Sequence, residues 1–349
     1  MPHPLSREFC RPTSGQTFEL DGDIYQLEGH IGDGAVGLVR RVTRLSDRAE
    51  RAIKFLAPDP KYLDEAMFDD VAVRFKREGE RGAKLDHPHL VQVFAYCENQ
   101  DGSAFESEEP KNPFLLMEYV RGRQLDNYIR KFFTKSKGSF VVDQARLHIA
   151  IQIANALYEL HRVKLIHRDI KPANIFVAKV PPHEGYPLVK LGDFGIVKWG
   201  DYHASVSTGV LTVTNQKGLG TMKYMSPEQA ISPKDISVKS DIYSMGITLF
   251  ELFTGQILVS PHHVYEIMNA RLSRGNTVSR FLSMGYQLKS EDEHIATLIL
   301  EMFRRGAQGR PTVENVRGHL EWEYERRFDS GWGEDLADSP IGFRDSWEE

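Results

Sequence analysis

The sequence predicts an α+β fold in which a small, sheet-rich N-terminal part precedes a larger, mainly helical part. Short β-type runs separated by glycine and charged turns extend from Ile24 to Leu56, which is typical of an antiparallel meander. After Gly122 the apolar residues recur at helical spacing, as in QARLHIAIQIANALYELHRV and DEHIATLILEMFRRG. The stretch DEAMFDDVAVRFKREGERGAKL adds one helix to the sheet-rich part. Because ligands often bind where two such parts meet, we expect a cleft at their junction.

Composition limits the class of protein. The chain has 349 residues and a formal net charge of -5, which gives no electrostatic case for nucleic acid or an anionic membrane as the main partner. The sequence has no run of about 18 apolar residues and starts without an apolar signal region. Its two cysteines, Cys10 and Cys97, are far apart. We therefore expect a cytoplasmic protein without a membrane span or a disulfide framework.

The glycine-rich stretch IGDGAVGLV has Gly32, Gly34 and Gly37 in G-x-G-x-x-G-x-V spacing. Backbone N–H groups in such a loop can approach phosphate because no Cβ intervenes, although a glycine-rich hairpin by itself is often only a turn. Lys54 follows in the strand AIKFL, where a buried cation would need an anionic partner. Glu78 on the next helix is a candidate for that partner. An edge-strand lysine that reaches solvent is the alternative.

The stretch LIHRDIKPANIFV concentrates charge between two strand-like runs. Asp169 could accept a proton from a hydroxyl group, and Lys171 could neutralise charge on a phosphoryl group in transfer. Asn174 could bind a metal ion through its amide oxygen, together with Asp193 in VKLGDFGIVK, and such an oxygen pair suits Mg²⁺. Surface loops rich in turn residues would explain any one of these motifs. They do not explain why these motifs occur together in this order.

Together these motifs resemble those of the eukaryotic-type (Hanks-type) serine/threonine protein kinases, from about Tyr25 to Leu320. The glycine loop, the AIK strand, HRDIKPAN, DFG and SPE all occur in the order of that family. SPEQA and the compact HRDIKPANIFV look most like its bacterial branch. The resemblance implies a bilobal protein-kinase-like fold, with a small antiparallel β-sheet N-lobe that carries helix αC and a larger, mainly α-helical C-lobe. It also implies ATP and Mg²⁺ as cofactors, with Mn²⁺ as an alternative metal.

The resemblance assigns roles to residues at matching positions. Asp169 is implied to be the catalytic base, and Lys54 the lysine on the ATP phosphates with Glu78 as its partner. KYLDEAMFDD is an insertion that lengthens the spacing between Lys54 and Glu78. Lys171 and Thr221 fit the serine/threonine type. Asn174 and Asp193 are the implied metal ligands, and the implied ATP contacts are Ile31, Gly32, Gly34, Gly37, Val39, Ala52, Lys54, Met117, Glu118, Val120 and Phe176.

Other positions concern architecture and control. Asp241 resembles a buried carboxylate that braces the catalytic loop, and Arg310 resembles an arginine that pairs with Glu228. Arg168 precedes the implied base, which is typical of kinases whose activation segment is ordered by phosphorylation. We expect the phosphorylation sites to be Thr212 and Thr214.

The predicted organisation is a flexible N-terminal extension at 1–22, an N-lobe at 23–120, a C-lobe at 121–322 and an acidic C-terminal tail at 323–349. The implied partners are protein substrates with Ser or Thr hydroxyls, and a regulatory protein that contacts helix αC or the acidic tail. Two other functions stay open on the sequence alone. One is a nucleotide-binding pseudokinase that acts as a scaffold, and the other is a small-molecule phosphotransferase of kinase-like fold.

Overall fold

The computed structural model describes residues 14–33, 37–57, 65–98, 112–133, 138–178, 186–193, 223–231, 235–257 and 286–328. Of residues 65–70 and 230–231 only the backbone is described. The described residues divide into an N-terminal unit that ends at Arg121 and a C-terminal unit that begins at Gly122. Among the helices of this part of the chain, none is long and apolar enough to cross a membrane.

The N-terminal unit contains an antiparallel sheet with strand order β1-β2-β3-β4-β6-β5. Its strands are β1 Thr17–Leu20, β2 Asp23–Asp33, β3 Gly37–Arg44, β4 Glu50–Leu56, β5 Val93–Cys97 and β6 Phe114–Glu118. The antiparallel meander predicted from Ile24 to Leu56 is confirmed. The sheet begins earlier than the sequence predicts, because β1 lies inside the predicted extension 1–22. Phe18 of β1 is buried and stacks on Tyr25, which holds β1 on the sheet.

Strand alternation divides the apolar residues of this sheet between its two faces. On one face Ile53 and Phe55 belong to a core cluster; its other buried members are Phe18, Tyr25, Leu27, Val42, Phe114 and Leu116. On the other face Leu56 and Leu115 pack with Val71 and Phe75 of helix α1 (Glu65–Gly82). Val71 and Phe75 are four residues apart, so they lie on the same side of the helix. The side of α1 that faces the sheet is therefore set by its apolar spacing.

The C-terminal unit is mainly helical, as the sequence predicts. Its helices are α2 Leu125–Phe132, α3 Gln144–Arg162, α4 Pro227–Ile231, α5 Val238–Thr254, α6 Glu293–Met302 and α7 Val313–Phe328. Single 3-10 turns occur at Pro172–Asn174, Ser290–Asp292 and Ala307–Gly309. A three-stranded antiparallel sheet consists of β7 Gly122–Gln124, β8 Ile175–Ala178 and β9 Val189–Leu191. Helix α7 continues past residue 322, into the segment predicted as the acidic tail.

Helix α5 forms the buried centre of this unit. Its residues from Ser240 to Thr254 are all buried. Ser237 caps its N-terminus in a capping box, and Gly255 ends it in the left-handed conformation (φ 69°). A Cβ on Gly246 would lie 2.8 Å from Met302, so α5 and α6 approach each other closely at this glycine.

Candidate active site

Lys54 and Glu78 form a buried ion pair in the N-terminal unit. The Nζ atom of Lys54 on β4 lies 3.2 Å from Oε1 of Glu78 on α1, and the two side chains are only 10% and 5% exposed. The Lys54 ammonium also lies 5.9 Å from the centre of the Phe75 ring. Lys54 thus does not reach solvent as an edge-strand lysine would. The structure brings together the two residues that the sequence predicts, despite the insertion between them.

Several residues predicted to contact ATP share one face of the sheet. Val39 lies opposite Lys54, and Ala52 lies opposite Met117, in the pairing of β3 and β6 with β4. Residues directly opposite in a sheet share a face, as do alternate residues of one strand. Val39, Ala52, Lys54 and Met117 are therefore on the same face. Gly32 lies opposite Val39 and therefore belongs to the same face.

The predicted phosphate loop is described at both its ends. A Cβ on Gly37 would lie 2.4 Å from the carbonyl oxygen of Phe55, so a larger residue would push β3 away from β4. A Cβ on Gly32 would meet no atom of the described residues within 4 Å, and the side chain of Ile31 beside it is exposed. Packing within the chain thus explains Gly37 but leaves Gly32 without a packing reason. Gly34 lies outside the described residues.

The remaining predicted ATP contacts lie at the end of β6, just beyond it, and in β8. Glu118 ends β6, and its backbone N–H donates to the carbonyl of Gln92 at 2.8 Å. Val120 follows two residues later and is half-buried. Phe176 belongs to the C-terminal unit, where it lies in β8 opposite Lys190 and is also half-buried.

Asp169 is held by two side chains of its own loop. Its carboxylate oxygens lie 3.0 and 3.2 Å from Nζ of Lys171. The amide Nδ2 of Asn174 donates to Oδ2 of Asp169 at 2.7 Å and to its backbone carbonyl at 2.8 Å. The 3-10 turn Pro172–Asn174 brings Asn174 back over the loop. Asp169 is 4% exposed, so its carboxylate is fixed in one orientation.

Asp241 on α5 fixes the backbone of the same loop. It is fully buried, and it accepts hydrogen bonds from the N–H groups of His167 at 2.9 Å and Arg168 at 2.8 Å. The brace that the sequence predicts for Asp241 is confirmed. The Nε2 atom of His161, in the last turn of α3, lies 2.9 Å from the same carboxylate. The sequence does not predict this contact of His161, because a histidine near the end of a helix can have many other roles.

His167 connects this loop to the segment that carries Asp193. Burial lowers the pKa of His167, against the opposite effect of the nearby carboxylates of Asp241 and Asp169. The neutral ring can donate from Nε2 to the carbonyl of Gly192 at 3.1 Å, while Nδ1 accepts the N–H of Asp169 at 3.3 Å. The N–H of Gly192 in turn donates to the backbone carbonyl of Asn174 at 2.9 Å. The segments that carry Asn174 and Asp193 are therefore directly bonded.

The donor atoms of Asn174 and Asp193 fit a hard divalent cation. Both hydrogens of the Asn174 amide are directed to Asp169, so the amide oxygen is the atom available to a metal ion. Asp193 supplies a carboxylate, and its backbone is left-handed (φ 57°). Within the described ranges, no three His, Cys, Asp or Glu side chains cluster as a metal site. Magnesium suits such a sparse set, because it keeps several waters and shares phosphate oxygens.

Glu228 and Arg310 form a bidentate ion pair, as the sequence predicts. The two guanidinium nitrogens lie 2.6 and 2.8 Å from the two carboxylate oxygens of Glu228. Burial alone would raise the pKa of Glu228, but hydrogen bonds from Arg310 and Ser240 outweigh it and hold that pKa below its ordinary value. The pair fixes the short helix α4 to the loop before α7. The predicted Thr221, Thr212 and Thr214 lie outside the described residues.

Comparison with known proteins agrees with this arrangement. The family model of the protein kinase domain matches residues 25–322. The serine/threonine-protein kinase PrkC of Bacillus subtilis is 35% identical over 233 residues, which are 67% of this chain and 31% of PrkC. The serine/threonine-protein kinase PknA of Corynebacterium glutamicum is 32% identical over 240 residues, 68% of this chain and 44% of PknA. The chain thus spans less than half the length of these curated relatives.

A solved structure shows the same fold. It is the kinase domain of a double mutant of Mycobacterium tuberculosis PknI, which superposes with a TM-score of 0.61 at 22% sequence identity. The superposition covers 90% of this chain and 100% of the PknI chain. The predicted α+β fold, with an antiparallel sheet before a helical part, is therefore confirmed, as is the resemblance to bacterial kinases. This chain belongs to the protein kinase family.

Proposed function

We propose that this chain is a protein serine/threonine kinase that transfers the γ-phosphate of Mg²⁺-ATP to Ser and Thr hydroxyls of protein substrates. The observation that carries the proposal is the held carboxylate of Asp169. Lys171 and Asn174 orient it, and Asp241 fixes the backbone beside it. Lys54, Asp169 and Asp193, which a pseudokinase scaffold usually loses, are all present.

In the proposed reaction the substrate hydroxyl oxygen forms a bond to the γ-phosphorus, and its proton passes to the carboxylate of Asp169. The bond from the γ-phosphorus to the bridging oxygen breaks, and ADP leaves with that electron pair. Such a transfer needs positioning and charge neutralisation above all. Lys171, which already contacts Asp169, would neutralise charge on the group in transfer. Lys54, held by Glu78, would bind the α- and β-phosphates.

The proposed nucleotide contacts follow from the same positions. Ile31, Val39, Ala52 and Phe176 would enclose the adenine ring, and Glu118 and Val120 would offer backbone groups to its edge. Met117 would be the side chain next to the ring, and Gly32, Gly34 and Gly37 would cover the phosphates. The shared sheet face of Val39, Ala52, Lys54 and Met117 supports this arrangement.

Asn174 and Asp193 would hold the metal ion, with Mg²⁺ as the proposed ion and Mn²⁺ as the alternative. When bound, the ion supplies positive charge to the phosphate oxygens. The bond from Gly192 to the Asn174 carbonyl supports a common site, since it holds the two ligand segments together.

We further propose that autophosphorylation of Thr212 and Thr214 activates the enzyme, with Arg168 binding the new phosphate. Thr221 would act with Lys171 in orienting the substrate hydroxyl. A regulatory protein would act through helix α1, which carries Glu78, or through the acidic tail at 323–349. Hydrogen exchange that protects α1 equally before and after phosphorylation would count against the α1 route.

The proposed substrates are proteins, and the proposed location is the cytoplasm. The net charge of -5 supports neither nucleic acid nor an anionic membrane as a partner. A small-molecule phosphotransferase would not need the Ser226–Glu228 segment, which in protein kinases belongs to the peptide-docking surface.

The test is the transfer of labelled γ-phosphate from Mg²⁺-ATP to the purified chain, to a generic protein substrate and to a panel of aminoglycosides and sugars. Asp169→Asn is the control. Phosphate on Ser or Thr that disappears in the control supports the proposal, and phosphopeptide mapping tests Thr212 and Thr214. Transfer only to small molecules, or ATP binding without any transfer, would contradict it.

A further inference from the structure

Gln229 in helix α4 uses both ends of its side-chain amide. Its Oε1 atom accepts the N–H and the hydroxyl of Ser226, each at 3.0 Å. Its Nε2 atom donates to the backbone carbonyl of Arg168 at 2.9 Å. Gln229 is 2% exposed, so water does not compete for these bonds. The side chain therefore links the segment that starts at Ser226 to the loop that carries Asp169.

The backbone of Arg168 is in the left-handed region, with φ 66°. That conformation costs free energy for a residue with a Cβ, so it persists only where contacts maintain it. Two contacts of this kind are present. The N–H of Arg168 donates to Asp241, and its carbonyl accepts from Gln229. The peptide units on both sides of Arg168 are thus held.

The carbonyl that Gln229 holds belongs to the peptide bond between Arg168 and Asp169. Rotation of that peptide unit would turn the Cα–Cβ bond of Asp169. Lys171 and Asn174 hold the carboxylate of Asp169, Asn174 also bonds its carbonyl, and Nδ1 of His167 accepts its N–H. The carbonyl of Arg168 is the other polar group of the peptide unit before Asp169, and Gln229 bonds that group. We propose that Gln229 is a positioning residue for Asp169, acting through the Arg168 carbonyl; this inference rests on the proposed kinase function.

Helix α4 is itself anchored, which allows Gln229 to act in this way. Glu228, the residue before Gln229, is bonded to both terminal nitrogens of Arg310 and accepts the Ser240 hydroxyl at 2.7 Å. A continuous series of bonds thus leads from Arg310 through α4 to the backbone of Asp169. The amide of Gln229 supplies both the acceptor for Ser226 and the donor for the Arg168 carbonyl, a combination that neither an ionised glutamate nor a methionine offers.

The experiment compares Gln229→Glu and Gln229→Met with Gln152→Met. The glutamate keeps an acceptor for Ser226 but places an oxygen against the Arg168 carbonyl, and the methionine removes donor and acceptor without adding charge. We expect kcat to fall about tenfold or more in both Gln229 variants, with KM for ATP and for protein substrate within about twofold, as for a group that acts mainly in the transition state. Gln152→Met removes another buried glutamine, whose amide accepts the N–H of Val189 and donates to the carbonyl of Pro187, and it should keep kcat within about twofold.

The pattern of kcat, KM and melting temperature distinguishes positioning from packing. If Gln229→Glu does not fold, Gln229→Met decides. A Gln229→Met protein with normal kcat overturns the inference, as does one whose losses in kcat and melting temperature are matched by Gln152→Met. Phosphate transfer by the wild-type chain and by Asp169→Asn is measured in the same experiment, and the substitution should abolish it. If the wild type transfers phosphate and the Gln229 variants are normal, the inference alone fails; if the wild type transfers none, the proposed function fails.

Discussion

The ammonium of Lys54 and the carboxylate of Glu78 are enclosed by protein at a separation of 3.2 Å. Burying two charged groups costs free energy because both lose their hydration, whereas burying two apolar side chains has no such cost. A buried ion pair is therefore often no more stabilising than apolar side chains of similar volume in its place. A requirement for stability alone therefore does not explain this pair. It is better explained by a need for a fixed cation on that face of the sheet.

The pair predicts different responses to single and double substitution. Glu78→Leu leaves the Lys54 cation buried without its partner and should destabilise the protein by about 3–5 kcal/mol. The double variant Lys54→Met, Glu78→Leu should recover most of that stability but no phosphate transfer. Urea unfolding and a transfer assay measure the two effects. A double variant that is as unstable as Glu78→Leu would contradict this account.

Asp241→Asn should reduce both activity and stability. The substitution replaces one acceptor oxygen by an NH₂ group, which would face the N–H of His167 or Arg168, both now bonded at 2.9 and 2.8 Å. Leaving a buried donor unsatisfied costs about 1–3 kcal/mol. We expect at least a tenfold lower kcat. Ser244→Ala is the matched control, because the hydroxyl of Ser244 bonds to the carbonyl of Ser240 within the same helix.

Arg310→Lys should destabilise the C-terminal unit although it retains the positive charge. The guanidinium of Arg310 contacts both oxygens of Glu228 and lies 5.0 Å from the centre of the Tyr243 ring, and an ammonium cannot reproduce the bidentate geometry. We expect a loss of about 2–3 kcal/mol in thermal or urea unfolding. The exposed pair of Arg304 with Glu301 provides the comparison. Arg304→Lys should change stability by less than about 1 kcal/mol, and equal losses in the two variants would refute the prediction.

Part of the protein's stability should depend on pH because of the buried side chain of His148. Burial lowers the pKa of His148 from 6.5 to about 4, and its ring packs on Tyr186 with centroids 4.8 Å apart. Between these two values the unfolded chain binds a proton that the folded protein does not, so stability is complete above pH 6.5 and falls as the pH decreases toward 4. His148→Phe should therefore lose less melting temperature than the wild type between pH 7 and pH 5. His30→Gln, at an exposed position of β2, should behave as the wild type does.

The sequence was sufficient to predict an element of secondary structure where its local pattern fits only one kind of element. Alternation and glycine turns predict the meander, and apolar residues at helical spacing predict helices α3 and α6. β1 escaped prediction because four residues carry little periodic signal. Its place on the sheet depends on Phe18, whose partner Tyr25 belongs to another strand.

For the candidate site, too, the sequence predicts one part and leaves another part open. The kinds of chemical group in the site and their order along the chain follow from the amino-acid types of Lys54, Asp169, Asn174 and Asp193, which already limit the chemistry. Which of the site's groups meet depends on the folded chain. Glu78 reaches Lys54 across 24 residues, and Gln229 reaches the Arg168 carbonyl across 61. Such contacts depend on how helices and strands pack, because a hydrogen bond between distant residues leaves no periodicity in either segment.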